Sequence, residues 1–148
     1  MTKEVVILIA EDDDGHARLI QKNLTRAGLH NRIERFQNGQ EILDFLLRRN
    51  PGRQRSPDAA YLLLLDIRMP QVDGVEVLRQ IKQDPELRKM PVIMLTTTDD
   101  PREVQRCHAL GCSTYIVKPV LYEKFAEAIN RMGLFVSLVQ VPQLGPNE

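Results

Sequence analysis

The chain has 148 residues, of which 43% are hydrophobic and 27% are charged, a composition typical of one soluble globular domain rather than of a disordered or membrane-spanning chain. Twenty Lys and Arg residues balance twenty Asp and Glu residues, so no overall positive field would draw the protein to nucleic acid or to an anionic membrane. The N-terminal apolar run is too short for a signal peptide or a membrane helix, and we therefore expect a cytoplasmic protein with neither nucleic acid nor membrane as a partner.

Apolar runs alternate with segments of helical spacing along the chain, a pattern typical of a parallel sheet covered by helices on both faces. The strands are predicted at residues 5–10, 32–36, 61–65, 92–95 and 115–117. The first and third runs are continuously apolar, as are central strands that are buried on both faces. The second run alternates, as an edge strand does. The predicted fold class is α/β, with a doubly wound five-stranded parallel sheet.

Five amphipathic helices are predicted between and after these strands. Asp13 and Asp14 are candidate caps for the first helix, and Gly28 is predicted to end it. The next three helices are predicted to open at Asn38-Gly39, at Asp73-Gly74 and at Pro101. The apolar face of the fifth helix is predicted to carry Leu121, Phe125, Ala128, Ile129 and Met132.

Polar side chains close four of the predicted strands. Glu11 and Asp12 follow the first strand, Asp66 follows the third, Thr96 the fourth and Lys118 the fifth. Because the carboxyl ends of parallel strands meet at one edge of an open sheet, we expect these side chains to lie together. Asp66 comes directly after four leucines, where an uncompensated charge is costly to bury, and this distinguishes it from a surface aspartate.

This cluster predicts metal-assisted phosphoryl chemistry. Crowded carboxylates raise one another's pKa unless a cation lies among them, and ligation by carboxylate oxygens suits Mg²⁺. The expected magnesium ligands are Glu11, Asp12 and Asp66. With charge on the incoming phosphoryl oxygens neutralised, Asp66 can act as a nucleophile and form an aspartyl phosphate. Lys118 would pair with one phosphoryl oxygen, and the Thr96 hydroxyl would donate to another.

The motifs IAED (9–12), LLDIRMP (64–70) with Asp73-Gly74, LTT (95–97) and YIVKP (115–119) resemble those of response regulator receiver domains, in the same order over residues 4–133. The resemblance implies a flavodoxin-like fold with strand order 2-1-3-4-5. It also implies a two-component response regulator that accepts a phosphoryl group from a sensor histidine kinase on Asp66. Such a protein is a phosphoacceptor that catalyses its own phosphorylation and dephosphorylation, not an enzyme with a separate substrate.

The resemblance also assigns roles to individual positions. It implies that Arg68 binds the metal through its backbone carbonyl and that the Lys118-Pro119 peptide bond is cis. Tyr115 would be an aromatic switch that turns inward as the Thr96 hydroxyl moves toward the phosphate, which biases two arrangements of the fourth helix and fifth strand. Tyr115 can equally be a plain core residue, because an aromatic ring in a strand packs well whether or not it acts as a switch.

A narrower resemblance is to the regulators paired with bacterial phytochrome kinases. It rests on the polar loop at 48–60, the run TTTDD at 96–100 and the apolar segment 134–141 before Pro142. It implies a bacteriophytochrome as the kinase and a homodimer formed through Phe135, Leu138 and Val139. We therefore divide the chain into a receiver domain, 1–133, and a C-terminal extension and tail, 134–148. This extension is too short for a DNA-binding helix-turn-helix domain, so we expect output through protein contacts.

Two other functions are open at this point. A haloacid-dehalogenase-like phosphatase also uses a strand-end aspartate and magnesium, but it would require a second aspartate two residues after the first, where Arg68 stands. A degenerate receiver could serve only as a dimerising adaptor, although it would not need the intact strand-end side chains.

The remaining polar residues have simpler interpretations. The arginines of the 48–60 loop either contact the kinase or are only solvated. His16, His30 and His108 do not follow strand ends, so we expect them at the surface. Cys107 and Cys112 lack the further ligands of a zinc site and are expected to be reduced thiols.

Overall fold

Strands and helices alternate along the part of the chain that the structure, a computed structural model, describes: residues 4–97 and 100–131. The strands are β1 (Glu4–Ala10), β2 (Ile33–Phe36), β3 (Ala59–Asp66), β4 (Val92–Thr96) and β5 (Thr114–Val117). The α-helices are α1 (Asp14–Arg26), α2 (Gly39–Leu46), α3 (Gly74–Gln83), α4 (Pro101–Leu110) and α5 (Tyr122–Arg131). A 3₁₀ turn, Leu87–Lys89, precedes β4.

The strands form one parallel sheet in the order β2-β1-β3-β4-β5, which confirms the predicted strand order. Ala10 pairs with Leu65, and Asp66 pairs with Leu95. Glu11 therefore lies beside Asp66, one residue beyond the end of β1. Since Thr96, the last residue of β4, pairs with Val117, Lys118 lies next to the end of β4. This register aligns the strand-end side chains along one edge of the sheet.

The core has two halves, one on each face of the sheet. Alternate β1 residues point to opposite faces, because successive side chains of a strand do so: Leu8 packs with residues of α2, α3 and α4, whereas Ile9 packs with residues of α1 and α5. All the residues from Val6 to Ala10 are fully buried. The continuous apolar run predicted such a strand, and the doubly wound α/β architecture is confirmed.

Side-chain caps fix most of the helix starts. Asp13 accepts a hydrogen bond from the His16 backbone N–H at 2.8 Å, and Asn38 and Asp73 cap α2 and α3 in the same way. These caps were predicted. Asp14 does not cap α1; it is the first residue of the helix.

One of the residues predicted on the apolar face of the last helix lies outside the helix. Helix α5 begins at Tyr122, so Leu121 precedes it and has 51% of its surface exposed. Phe125 and Ala128 are buried on the apolar face, as predicted. The Ile129 side chain and Met132 lie outside the described residues. None of the helices within the described ranges is long and apolar enough to cross a bilayer.

Two glycines allow close approach of the backbone beside the strand ends. A Cβ at Gly74 would lie 2.2 Å from the Asp66 carbonyl oxygen, and a Cβ at Gly39 would lie 1.9 Å from the Val72 carbonyl oxygen. The Gly74 N–H also donates to the Ile67 carbonyl at 2.7 Å. Helix α3 can therefore begin directly against the backbone of Asp66 only because residue 74 has no side chain.

The substitution Gly74→Ala is expected to lower the free energy of unfolding by about 1–3 kcal/mol, because the added methyl must displace the Asp66 backbone. Urea unfolding measures the change. The control is Gly52→Ala, where a Cβ would meet Asn50 Oδ1 at an ordinary 3.5 Å, and we expect a change below about 0.5 kcal/mol. Equal losses in both variants would contradict this account.

Candidate functional site

The side chains predicted from the strand ends converge at the carboxyl edge of the sheet. Glu11 and Asp12 follow β1, Asp66 ends β3, Thr96 ends β4 and Lys118 follows β5. Glu11, Asp66 and Thr96 are buried, whereas Asp12 is exposed. The site therefore has a buried polar floor and one carboxylate that is open to solvent.

Lys118 is the cation at the centre of this floor. Its Nζ lies 2.6 Å from Glu11 Oε1 and 3.1 Å from Asp66 Oδ2, and only 6% of its side chain is exposed. The Lys118 backbone N–H donates to the Thr96 carbonyl at 2.6 Å, and the Lys118-Pro119 peptide bond is cis, as predicted. One ammonium thus contacts two buried carboxylates from two neighbouring strands.

The ionised form of Asp66 is destabilised despite this lysine. Burial raises the pKa of Asp66, and the neighbouring Glu11 carboxylate raises it further, to about 7, although Lys118 acts in the opposite direction. Removal from water disfavours the charged form, and a like charge at short range adds to that penalty. The site has two buried carboxylates and one buried lysine, so it can accept additional positive charge.

The carboxylates fit a divalent cation. One oxygen from each of Glu11, Asp12 and Asp66 lies within 4.8 Å of the others, and hard divalent ions prefer such all-oxygen ligands. Glu11 Oε1 is fully buried, and Lys118 Nζ lies 2.6 Å from it. The same ammonium also faces Asp66, so the three clustered carboxylates carry more negative charge than this lysine balances. Buried charge is costly unless a counter-ion compensates it, so this donor set suits a metal ion.

Thr96 and Arg68 are connected through a residue that the sequence did not single out. Thr96 Oγ1 donates to Glu103 Oε1 at 3.3 Å, and Arg68 Nη2 lies 3.7 Å from Glu103 Oε2. Glu103 lies in the first turn of α4. The predicted switch residue is therefore linked directly to α4, and the Arg68 side chain extends toward the same carboxylate.

Tyr115 is half-buried in β5 and packs against the α2–α4 half of the core. Its ring contacts the His108 ring of α4 edge-on, with 5.7 Å between ring centroids. This contact places Tyr115 between β5 and α4, the two elements that the predicted switch would rearrange. Both the switch role and the core role agree with this position.

His16 is partly exposed, as a surface residue would be, but it lies beside the site, which the sequence did not indicate. His16 is half-buried, and its Nδ1 lies 3.3 Å from Lys118 Nζ and 3.8 Å from Glu11 Oε2. His30 and His108 are exposed, as predicted. The strand-end rule could not identify His16 because it lies in the first turn of α1. Its closeness to the acidic pair in sequence was the available signal.

Arg35 is a third residue near the site that the sequence did not indicate. From the edge strand β2, its guanidinium donates two hydrogen bonds, 2.7 and 3.1 Å long, to the Glu11 carbonyl. It also pairs with Asp14 at 2.5 Å. Arg35 thus fixes the backbone of the loop that carries the acidic pair.

The arginines of the polar loop are not merely solvated. Arg53 donates to the Arg35 carbonyl at 2.8 Å and lies over the Phe36 ring. Arg55 donates to the Leu46 carbonyl at 2.7 Å and pairs with Glu86. These contacts attach the loop to β2 and α2. The sequence analysis expected these arginines either to contact the kinase or to be solvated, and it did not foresee that they hold the loop in place.

Cys107 and Cys112 are buried free thiols, as expected. Burial raises the pKa of both, that of Cys112 to about 11. A thiol with a raised pKa has little thiolate at neutral pH and is therefore a poor nucleophile.

Comparisons with known proteins agree with this geometry. The family described as response regulator receiver domain matches residues 7–130. The chain is similar to the solved response regulator receiver domain from Rhodospirillum rubrum, with 48% identity, a TM-score of 0.75, and coverage of 93% of this chain and 96% of that one. It is 35% identical to the bacteriophytochrome response regulator RtBRR, with a TM-score of 0.81 and coverage of 98% and 86%. It is 30% identical to the Mn²⁺-bound form of response regulator Rcp1, with a TM-score of 0.72 and coverage of 93% and 96%.

Replacing Asp66 by Asn is expected to stabilise the metal-free protein at neutral and higher pH. The pKa of Asp66 is about 7 in the folded chain and about 3.9 when unfolded. Folded wild type therefore binds more protons between these values and loses stability as the pH rises through them. An asparagine side chain cannot ionise, so we expect Asp66→Asn to be more stable by about 1–2 kcal/mol above this window.

Urea unfolding in the presence of a chelator, at about pH 5 and about pH 8, measures this effect. The advantage of Asp66→Asn should be smaller at the lower pH. The exposed Asp58, at the opposite end of β3, provides the control Asp58→Asn, for which we expect no pH-dependent gain. A stability gain of Asp66→Asn that grows as the pH falls would contradict the conclusion that burial and the Glu11 carboxylate destabilise ionised Asp66.

Proposed function

Given that this chain belongs to the response regulator receiver domain family and acts in two-component signalling, we propose that Asp66 accepts a phosphoryl group from a sensor histidine kinase. The observation that carries the proposal is the position of Lys118, whose Nζ lies 3.1 Å from Asp66 Oδ2 on the floor of an acidic site. A buried lysine at this distance is placed to neutralise charge that arrives on the oxygens next to Asp66.

In the proposed reaction a carboxylate oxygen of Asp66 attacks phosphorus. The new O–P bond forms as the P–N bond of the donor's phosphohistidine breaks, and the departing imidazole takes up a proton. Lys118 exchanges Asp66 Oδ2 for a phosphoryl oxygen. The Thr96 hydroxyl leaves Glu103, from which it is 3.3 Å away, and donates to another phosphoryl oxygen. Hydrolysis of the acyl phosphate in the same site returns the chain to its starting state.

Glu11, Asp12 and Asp66, together with the Arg68 carbonyl, are the proposed ligands of Mg²⁺. When bound, the ion supplies positive charge against the transferring phosphoryl oxygens. The clustering of the three carboxylates within 4.8 Å supports the proposal. Arg35 keeps the Glu11 carbonyl in place by two hydrogen bonds, so the acidic pair is positioned before any ligand arrives.

Output is proposed to occur through protein contacts at α4 and β5. Phosphorylation adds roughly −1.5 to −2 charges at the sheet edge and withdraws the Thr96 hydroxyl from Glu103 in the first turn of α4. Tyr115 packs against α4 through His108, so a movement of α4 changes the space available to its ring. The two arrangements exist before phosphorylation, which shifts their populations.

The likeness to the bacteriophytochrome response regulator RtBRR supports a bacteriophytochrome as the kinase. A cytoplasmic location and the absence of nucleic acid as a partner belong to the same proposal, as does a receiver domain that extends over residues 1–133. The chain then catalyses its own phosphorylation and dephosphorylation and has no separate substrate.

With Mg²⁺ present, beryllofluoride, which mimics a phosphoryl group, is expected to bind the wild-type chain saturably. Asp66→Ala should abolish this binding, because the mimic is held by a carboxylate oxygen at residue 66. Isothermal titration calorimetry measures the binding. The matched control is Asp58→Ala, at the other end of the same strand, which should bind as wild type does.

Acetyl phosphate provides an independent assay of the same site. It should label the wild-type chain and Asp58→Ala but not Asp66→Ala, and a chelator should prevent the labelling. A wild-type chain that neither binds beryllofluoride nor accepts phosphate would refute the proposed function and would support an adaptor without phosphoryl chemistry.

A homodimer formed by the C-terminal extension is part of the proposal. The expected contact residues, Phe135, Leu138 and Val139, lie outside the described residues, and the argument rests on their apolar character and on the likeness to phytochrome-associated regulators. An apolar segment next to a complete five-helix domain favours a partner surface. The extension of one copy is expected to pack against that of a second copy.

The double substitution Phe135→Ala with Leu138→Ala is expected to convert the dimer to a monomer, because it removes most of the apolar contact area. Sedimentation velocity at several protein concentrations measures the change. The control is Gln143→Ala in the polar tail, which should leave the dimer intact. A double variant that sediments as wild type does would exclude this interface.

A further inference from the structure

His16 touches the cation of the proposed phosphoryl site, yet neither the proposed chemistry nor the metal site uses it. Its Nδ1 lies 3.3 Å from Lys118 Nζ. An ammonium group has only donors, so Nδ1 is the acceptor in this contact. The ring also lies 3.8 Å from Glu11 Oε2 and 3.9 Å from Asp13 Oδ1.

We infer that His16 is a positioning residue, whose Nδ1 holds the Lys118 ammonium in the direction of the phosphoryl group. The inference rests on the proposed function of Asp66 and deepens it. Lys118 has three N–H donors, and within the described part of the chain three acceptor atoms lie close to its Nζ: Glu11 Oε1, Asp66 Oδ2 and His16 Nδ1. When a phosphoryl oxygen replaces Asp66 Oδ2, the other two acceptors keep the ammonium in place.

A neutral acceptor is suited to this task. Lysine has a flexible four-carbon stem, and its ammonium must lose rotational freedom when it binds a phosphoryl oxygen. Glu11 also limits that freedom, but its carboxylate is a proposed metal ligand and cannot serve both cations without competition. The His16 ring contacts Lys118, and His16 is not in the group of candidate metal ligands. His16 can therefore orient the lysine when the Glu11 carboxylate is divided between Lys118 and the metal ion.

The fold does not require an imidazole at this position. The Asp13 cap is satisfied by the His16 backbone N–H, at 2.8 Å, and any residue other than proline supplies that donor. The His16 side chain is 42% exposed, so its removal leaves no buried cavity. A loss of phosphoryl binding without a loss of stability would separate positioning from a structural role.

The test compares His16→Leu with His16→Asn by calorimetric titration of beryllofluoride into each chain in the presence of Mg²⁺. Leu offers no acceptor, and we expect its affinity to fall about tenfold, as for the loss of a charge-assisted hydrogen bond. Asn places its side-chain carbonyl oxygen where Nδ1 stands, and its affinity should stay within about twofold of wild type. His30→Leu, at an exposed site, is the matched control and should bind as wild type does.

A titration of Mg²⁺ alone and a urea unfolding curve complete the experiment. Unchanged Mg²⁺ affinity and an unchanged unfolding midpoint in His16→Leu would support positioning through Lys118. Weaker Mg²⁺ binding would make His16 a metal ligand and overturn the inference, as would equal losses in the Leu and Asn variants. If wild type binds beryllofluoride and His16→Leu binds it equally well, the inference fails while the proposed function stands. If wild type does not bind, both fail.

Discussion

The structure of the site depends on one interaction, the contact of the buried Lys118 ammonium with the Glu11 and Asp66 carboxylates. Each of these charges alone would be costly to remove from water, and two carboxylates side by side would be costlier still. With Lys118 in contact the pair is tolerated, but the pKa of Asp66 remains raised to about 7. The site therefore retains an affinity for further positive charge, which is the property that a metal-dependent phosphoacceptor requires.

The scaffold holds this contact by constraints that come from opposite faces of the sheet. The register of β1, β3 and β4 aligns the three strand ends, and a slip of one residue would turn every side chain of a strand to the other face. Gly74 lets α3 start against the Asp66 backbone, while Arg35 fixes the Glu11 carbonyl from the edge strand. The polar loop adds to this bracing because Arg53 holds the Arg35 carbonyl.

The sequence predicted the parts of the site that depend on strand ends, because periodicity locates a strand and parallel pairing dictates where its last residue lies. Asp66 and Lys118 were predicted on this basis. His16, Arg35 and Glu103 were not, since they reach the site from two helices and an edge strand. Their roles depend on helix rotation and side-chain length, and apolar periodicity reports neither. Leu121 was wrongly predicted on the apolar face of α5, because the helical spacing of apolar residues extends to one residue before the observed start of the helix.

In the proposed reaction, the hydrogen bond between Thr96 and Glu103 is the link between the phosphoryl site and helix α4. A hydroxyl has one proton to donate, so in the proposed reaction Thr96 serves either Glu103 or the phosphoryl group. When the Thr96 hydroxyl turns to the phosphoryl group, Glu103 loses the hydrogen bond that this residue of β4 donates. Glu103 keeps its ion pair with Arg68, whose guanidinium lies 3.7 Å away. The first turn of α4 then loses its hydrogen bond to β4 and keeps its ion pair with the loop after β3, while His108 still packs on Tyr115 of β5. Phosphorylation would thus alter how the start of α4 is held, and a shift there would present a different surface to a partner.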